Sequence, residues 1–429
     1  MPPKSHPIIP VTVITGFLGS GKTTLLNHIL ESKDHGMKFA IIENEFGEVG
    51  VDDQLLTHSK KSKEFVNEEI IEVMNGCICC TVRGDLVETL NKLYKRLKTV
   101  KFDGLIIETT GMADPAPVIQ TFFVDYHLQQ KYSLDCVVTV VDAKHVLERL
   151  SDSKLPGREA GTINETIEQI AFANKVLLNK IDLVTDDSEL KQIEGEIRKI
   201  NQDVDIIRSS FGKVEPKLLL NSGAFDLRKV LQFEPEFLDE LYETKHDSRI
   251  GSVAFNLQGE LNKELFLNWI QRLLGGAADK DHDHSKEGEE DLTAMKLFRY
   301  KGIFAAKGIP NKYLLQGVGM LYTGTFVDVE WGKDEVRGNR MVFIGRNLDS
   351  ELLKNGFKSC LVTKELRFPV GTDVEASVGA YEPGVIIAHW DEGNAYRIRL
   401  KTSGEEIWAP LDIDEYVRAG RKHLVRKRS

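Results

Sequence analysis

Gly16-Phe-Leu-Gly19-Ser20-Gly21-Lys22-Thr23-Thr24 constrains the fold of this chain more than any other segment. Three glycines within six positions let the backbone turn several N–H groups inward, and a lysine and a hydroxyl follow at once. An apolar run, Val11-Thr-Val-Ile-Thr, precedes the segment, and Thr23 to about Leu30 has helical spacing. A strand, a glycine turn and a helix in that order offer backbone donors and a helix N-terminus to phosphate oxygens. Gly16, Gly19, Ser20, Gly21, Lys22, Thr23 and Thr24 are therefore the expected phosphate contacts. Lys22 should reach the outer phosphates of a nucleoside triphosphate, and the Thr23 hydroxyl should coordinate Mg²⁺.

Residues 8 to about 222 continue the strand–helix alternation. Lys38-Phe-Ala-Ile-Ile, Gly104-Leu-Ile-Ile, Cys136-Val-Val-Thr-Val-Val and Lys175-Val-Leu-Leu are short, unbroken apolar runs. Such runs suit strands buried on both faces. The expected class is α/β, with a mainly parallel sheet covered by helices. At 429 residues the chain exceeds the roughly 250–300 that one core sustains, so further units are expected. The reading places a nucleotide-binding domain at 1–225 and a linker at 226–249. An α+β domain follows at 250–362. Its elements are Ser252-Val-Ala-Phe-Asn-Leu, a helix over Leu265 to Leu274, and strands at Gly317–Tyr322 and Arg340–Gly345. An acidic, histidine-containing loop at 275–291 interrupts that domain. Short strands between Gly and Pro turns give a small SH3-like barrel at 366–420, and 421–429 is a basic tail.

Two further motifs lie at the ends of expected strands. Asn179-Lys180-Ile-Asp182 follows Val176-Leu-Leu. A carboxylate there accepts two hydrogen bonds from the N1–H and 2-amino group of guanine. Adenine would leave it unpaired, so GTP is favoured over ATP. Glu108-Thr-Thr-Gly111 ends Leu105-Ile-Ile. Glu108 can hold the Mg²⁺ shell, and the Gly111 N–H can sense a γ-phosphate, as switch loops do.

The cysteines point to a second chemistry. Cys77, Cys79 and Cys80 fall within four residues, and Cys136 and Cys360 stand apart. An odd total argues against a disulfide framework. Three clustered thiolates suit Zn²⁺ or Cu(I), and an incomplete ligand set suits transfer rather than a closed structural site. The alternative is a trio of small buried apolar residues. His282 and His284, between aspartates, are candidate accessory ligands or incidental members of a solvated loop. A net charge of -10 argues against general nucleic-acid binding. No apolar stretch reaches the ~18 residues of a membrane span, and Met1-Pro-Pro-Lys-Ser-His-Pro lacks the apolar core of a secretory signal. A cytoplasmic protein with no membrane partner is expected.

Together, Thr15–Thr24, Ile42-Glu43-Asn-Glu-Phe-Gly47, Cys77-Ile-Cys-Cys80, Glu108–Pro115 and Asn179–Asp182 resemble the CobW family of metal-handling GTPases over about residues 8–362. The resemblance implies a GTP-dependent metallochaperone that binds zinc through the Cys-x-Cys-Cys motif and hands it to a client metalloprotein. GTP, Mg²⁺ and Zn²⁺ are the implied cofactors and cargo. Glu43 and Glu48, outer carboxylates of the Glu43–Glu48 run, join the implied metal ligands. Some branches handle cobalt, and a regulatory GTPase switch with structural cysteines remains the other reading. The Cys-Pro-x-Leu-Val motif by which some zinc-delivering members engage a methionine aminopeptidase is not seen near the N-terminus. The client and any homo-oligomeric assembly are left open, and the 366–420 unit falls outside the usual family plan.

Overall fold

The computed structural model describes residues 8–32, 36–43, 83–97, 103–111, 114–151, 164–225, 250–275, 295–333 and 335–420. The expected parallel sheet is present. Its strands are β1 (Ile9–Thr15), β2 (Phe39–Glu43), β3 (Gly104–Glu108), β4 (Tyr132–Asp142), β5 (Lys175–Asn179) and β6 (Asp205–Arg208). They run in the order β2-β3-β1-β4-β5-β6, all parallel. Val11, Val13, Ile106, Ile107, Val137, Val138, Val140, Leu177 and Leu178 are each at most 1% exposed. That two-sided burial is why these strands read as unbroken apolar runs. Helix α1 (Lys22–Glu31) leaves the glycine loop. Local side chains set other helix starts: Asn164 accepts the Thr166 and Ile167 N–H groups, and Asp186 accepts that of Ser188.

A second sheet is antiparallel. It comprises β7 (Ile250–Gln258), β8 (Lys296–Ala305), β9 (Asn311–Val318), β10 (Leu321–Glu330) and β11 (Gly338–Arg346), ordered β10-β9-β8-β11-β7. Gly317–Tyr322, expected as a strand, is instead the hairpin joining β9 to β10. Gly319 takes φ 60° there, a turn conformation that ends the ladder. One face of this sheet carries Phe255, Tyr300, Phe304, Met341 and Phe343. It packs beneath the helices Lys263–Gly275 and Ser350–Lys358, through Phe266, Trp269 and Phe357. The opposite face carries Ala254, Ile303, Leu314, Val342 and Ile344, and shares one core with the first domain. β11 is therefore buried on both faces although its sheet is antiparallel.

A β-bulge fixes that junction. β8 pairs Arg299 with Ile344 and Leu297 with Gly345, leaving Phe298 as the extra residue. Phe298, 2% exposed, packs on Phe172 with ring centroids 5.7 Å apart. Arg299 donates to the Ala173 carbonyl at 2.6 Å and lies 5.3 Å over the Phe225 ring.

A third sheet, β12 (Asp373–Ser377), β13 (Tyr381–Asp391), β14 (Asn394–Leu400), β15 (Glu406–Ala409) and β16 (Val417–Ala419), runs β15-β14-β13-β12-β16. Its last strand returns to pair with its first, the strand order of an SH3-like barrel. It encloses a small core of Val374, Ile386, Tyr396 and Ile398. Asn262 donates to the Pro410 carbonyl at 3.0 Å, joining this unit to the second domain. Among the described residues no helix is long and apolar enough to cross a membrane. The segments at 226–249, 276–294 and 421–429 lie outside the described residues.

Candidate functional site

The carboxyl ends of β1, β3, β4 and β5 converge on the glycine loop. Gly16, Gly19 and Gly21 take φ values of 140°, 76° and 105°, open to glycine and closed to most side chains. At Gly16 a Cβ would also strike the Val140 carbonyl oxygen. Such turns gather successive N–H groups into an anion-binding concavity. Lys22 is 7% exposed, and its Nζ donates to the carbonyls of Gly16 at 2.8 Å and Phe17 at 3.3 Å. The loop thus holds its own cation in a fixed position. Ser20 is 1% exposed, and its Oγ has no hydrogen-bond partner among the described residues. A buried hydroxyl inside such a loop suits a phosphate oxygen. Thr23 is half-buried in the first turn of α1, and Thr24 is exposed.

Asn179 is held by two hydrogen bonds within the protein. It is 2% exposed; its Nδ2 donates to the Ser20 carbonyl at 3.0 Å, and its Oδ1 accepts the Gly212 N–H at 3.0 Å. It therefore ties the phosphate loop to the turn after β6. Lys180 follows in the left-handed region at φ 63° and donates to Asp142 Oδ2 at 2.8 Å. His145 Nδ1 lies 3.1 Å from the same oxygen. Burial pushes the Asp142 carboxyl up, but the hydrogen bonds and charges of Lys180 and His145 outweigh it and hold it below its ordinary value. Asp182 is exposed in a short 3₁₀ turn, Ile181–Leu183. Sequence reading missed Asp142 and the Ser209–Gly212 turn. The only signal for the turn is its Ser-Ser-Phe-Gly composition.

The third strand brings the other phosphate-side groups. Glu108 is half-buried, opposite Ile14 of β1 and Glu43 of β2. Thr109 Oγ1 donates to Thr15 Oγ1 at 2.9 Å, fastening this strand end to the start of the loop. Gly111 stands against the phosphate loop so closely that a Cβ would press on the Leu18 backbone. Its carbonyl accepts from Gln169 Nε2 at 3.2 Å. Arg149 stacks its guanidinium 3.6 Å from the Phe17 ring centroid, a further contact the sequence did not suggest.

Of the metal candidates, Glu43 ends β2, and Cys77, Cys79, Cys80, Glu48, His282 and His284 lie outside the described residues. Among the described residues no group of three His, Cys, Asp or Glu is placed to hold a metal ion. Cys136 and Cys360 are free and buried in separate cores. Burial, reinforced by Asp135, pushes the Cys136 thiol up to about 12, and burial pushes Cys360 up to about 11. Neither is a thiolate near neutral pH.

A glycine loop, a buried lysine and a helix N-terminus at the carboxyl end of a parallel sheet suit a nucleoside triphosphate: the protein is a P-loop GTPase. Residues 10–208 match the CobW/HypB/UreG nucleotide-binding domain, and residues 250–361 match the cobalamin synthesis protein cobW C-terminal domain. The zinc chaperone YjiA of Escherichia coli is 37% identical over 352 residues, covering 81% of this chain and 98% of that protein. The zinc-regulated GTPase metalloprotein activator 1 of Dictyostelium discoideum is 32% identical over 406 residues, covering 85% and 82%. The crystal structure of Zn(II)-bound YjiA GTPase from E. coli superimposes with a TM-score of 0.60 at 30% identity, covering 83% of this chain and 100% of that one. The chain belongs to the CobW family of GTPases. Neither family match extends past residue 361, so the SH3-like unit stands outside both.

Proposed function

We propose that this GTPase is a cytoplasmic zinc metallochaperone whose nucleotide cycle controls the hold of Cys77, Cys79 and Cys80 on a Zn²⁺ cargo delivered to a client metalloprotein. The observation that carries the reading is the register Glu43↔Glu108. β2 ends at Glu43, and the chain then enters the segment that contains Glu48 and the cysteines. That segment ends at the helix Arg83–Leu97, three residues after Cys80. The strand paired with β2 carries Glu108 and leads to Gly111. The start of the candidate metal segment is thus hydrogen-bonded to the strand that ends at the γ-phosphate sensor. The names of the two relatives, a zinc chaperone and a zinc-regulated activator, support zinc as the cargo.

Lys22 neutralises charge on the β- and γ-phosphates during hydrolysis, while the loop N–H groups and Gly111 orient them. Thr23 and Glu108 are hard oxygen donors at the phosphate end of the sheet, a donor set that suits Mg²⁺. They would hold the ion, which supplies charge neutralisation to the phosphates when bound. Asp182 reads the base. Movement of the Gly111 segment on loss of the γ-phosphate changes the end of β3, and through its pairing with β2 the geometry of Glu43 and the segment behind it.

Coupling of this kind is reciprocal. Zn²⁺ affinity measured with GDP and with a non-hydrolysable GTP analogue should differ, and the analogue's affinity relative to GDP should shift by the same factor when Zn²⁺ is bound. Two equal zinc affinities would refute the coupling. Zinc binding unchanged after serine replacement of Cys77, Cys79 and Cys80 would refute the site.

A further inference from the structure

The turn after β6, Ser209-Ser210-Phe211-Gly212, carries a residue that suits neither its backbone nor its surroundings. Phe211 takes φ 57°, in the left-handed region, and is 65% exposed. A side chain with a Cβ crowds its own carbonyl in that region, a cost that glycine escapes. A lone exposed aromatic is ordinary on a protein surface. One that is also strained is favoured by neither burial nor backbone, and such outliers concentrate at ligand clamps.

Bonds on both sides fix where this turn lies. The Ile181 N–H, next to Asp182 in the chain, donates to the Ser209 carbonyl at 3.2 Å. The Gly212 N–H donates to Asn179 Oδ1, and the Nδ2 of the same side chain reaches the Ser20 carbonyl of the phosphate loop. Gly212 is packed so close to α1 that a Cβ would lie 2.9 Å from the Leu25 nitrogen. The turn is also closed on itself. Ser209 Oγ donates to the Lys213 carbonyl at 2.9 Å, and the Lys213 N–H donates to the Ser210 carbonyl at 3.1 Å. An exposed ring is therefore carried on a held turn, bonded to the segment of Asp182 and, through Asn179, to the phosphate loop.

We propose that the Phe211 ring is the stacking platform for the guanine base of the bound nucleotide. The proposal rests on the reading that Asp182 meets the edge of that base. The two residues divide the work. Asp182 meets donors on the edge and selects guanine. Phe211 covers a face, which every purine presents, and adds affinity without choosing among bases. Because the turn is held before the nucleotide arrives, little ordering is needed on binding. The ring also keeps water from one side of the Asp182 hydrogen bonds, which strengthens them.

The test competes GTP, GDP and ITP, with inorganic tripolyphosphate as the base-free control, against a ribose-labelled fluorescent GTP on the full chain with Mg²⁺. Glycine suits φ 57°, so Phe211→Gly removes the ring and keeps the turn. It should weaken GTP, GDP and ITP alike, by about five- to hundredfold, and leave tripolyphosphate unchanged. Phe211→Trp should hold GTP affinity within about threefold, because the indole stacks as well. Its emission should be quenched by GTP and not by tripolyphosphate. Trp269, Trp331, Trp390 and Trp408 all lie outside the first domain, so the wild type supplies the baseline. Thermal unfolding without nucleotide checks that both variants fold. Normal GTP affinity in Phe211→Gly, an equal loss for tripolyphosphate, or an unquenched Phe211→Trp would overturn the proposal. Asp182→Asn separates the two levels. If it leaves the preference for GTP over XTP unchanged, the base reading fails and the stacking with it. If the preference shifts while Phe211→Gly binds normally, only the stacking fails.

Discussion

Asn179 and Asp182 belong to one four-residue motif, and on the proposed function they have separable tasks. Asn179→Ala removes two buried hydrogen bonds, to the Ser20 carbonyl and from the Gly212 N–H, both 3.0 Å long. Each bond is worth about 1 kcal/mol net, and each buried group left unpaired costs about 1–3 kcal/mol. The expected loss is about 2–4 kcal/mol, felt wherever the phosphate loop must be held against the Gly212 turn. If most of it falls on the nucleotide-bound state, GTP affinity drops by roughly 30- to 1,000-fold. If the Asn179 amide serves chiefly as this tie, preference among bases should stay as it was. Asp182→Asn should do the reverse. The amide turns one acceptor into a donor, which opposes the guanine 2-amino group and suits the 2-carbonyl of xanthine. GTP affinity should fall and XTP affinity should rise. Competition of GTP, XTP and ATP against a fluorescent nucleotide measures both variants on one scale. An Asn179→Ala protein that binds GTP normally, or that changes its preference between GTP and XTP, would refute the separation of tasks.

Phe298→Ala should cost about 3–5 kcal/mol, because the ring is 2% exposed and wedged against Phe172 at the junction of the two sheets. A lower urea midpoint for the first unfolding transition measures this, and a change under 1 kcal/mol would remove the residue from the shared core. In native protein, Cys136 and Cys360 should resist a thiol reagent at pH 8, since their thiols are held near 12 and 11 by burial. Mass mapping of labelled peptides identifies which cysteines react. Asp142→Asn should cost about 0.5–1 kcal/mol, a modest value for a partly exposed pair. The wild-type carboxyl lies below its ordinary 3.8, so its contribution is present above about pH 4 and fades as pH falls through the lowered value. Urea midpoints of the two proteins should therefore differ at pH 6 and converge in strong acid.

The phosphate loop, the Asn179–Asp182 turn and the parallel strands were all legible because each is a local pattern. A glycine turn between a strand and a helix needs only a dozen consecutive residues to declare itself. Strands buried on both faces declare themselves by composition alone. The antiparallel sheet was harder. β8 mixes Arg299, Lys301 and Gly302 with aromatics, since one face meets its own helices and the other a neighbouring domain. Its bulge also breaks the two-residue period, and the glycines at 317 and 319 gave a hairpin the look of a strand.

By itself, the sequence determined that this chain holds a nucleoside triphosphate in a glycine loop, that the base is guanine, and that the cysteines cluster apart from Cys136 and Cys360. Tertiary structure decided what those motifs touch. It made Asn179 a tie between two loops. It set Glu43 beside Glu108 across 65 positions of chain, and it brought Arg299 to the Ala173 carbonyl. The physical reason is range: backbone conformation follows from neighbours in sequence, whereas register, burial and charge partners are fixed only when distant segments pack.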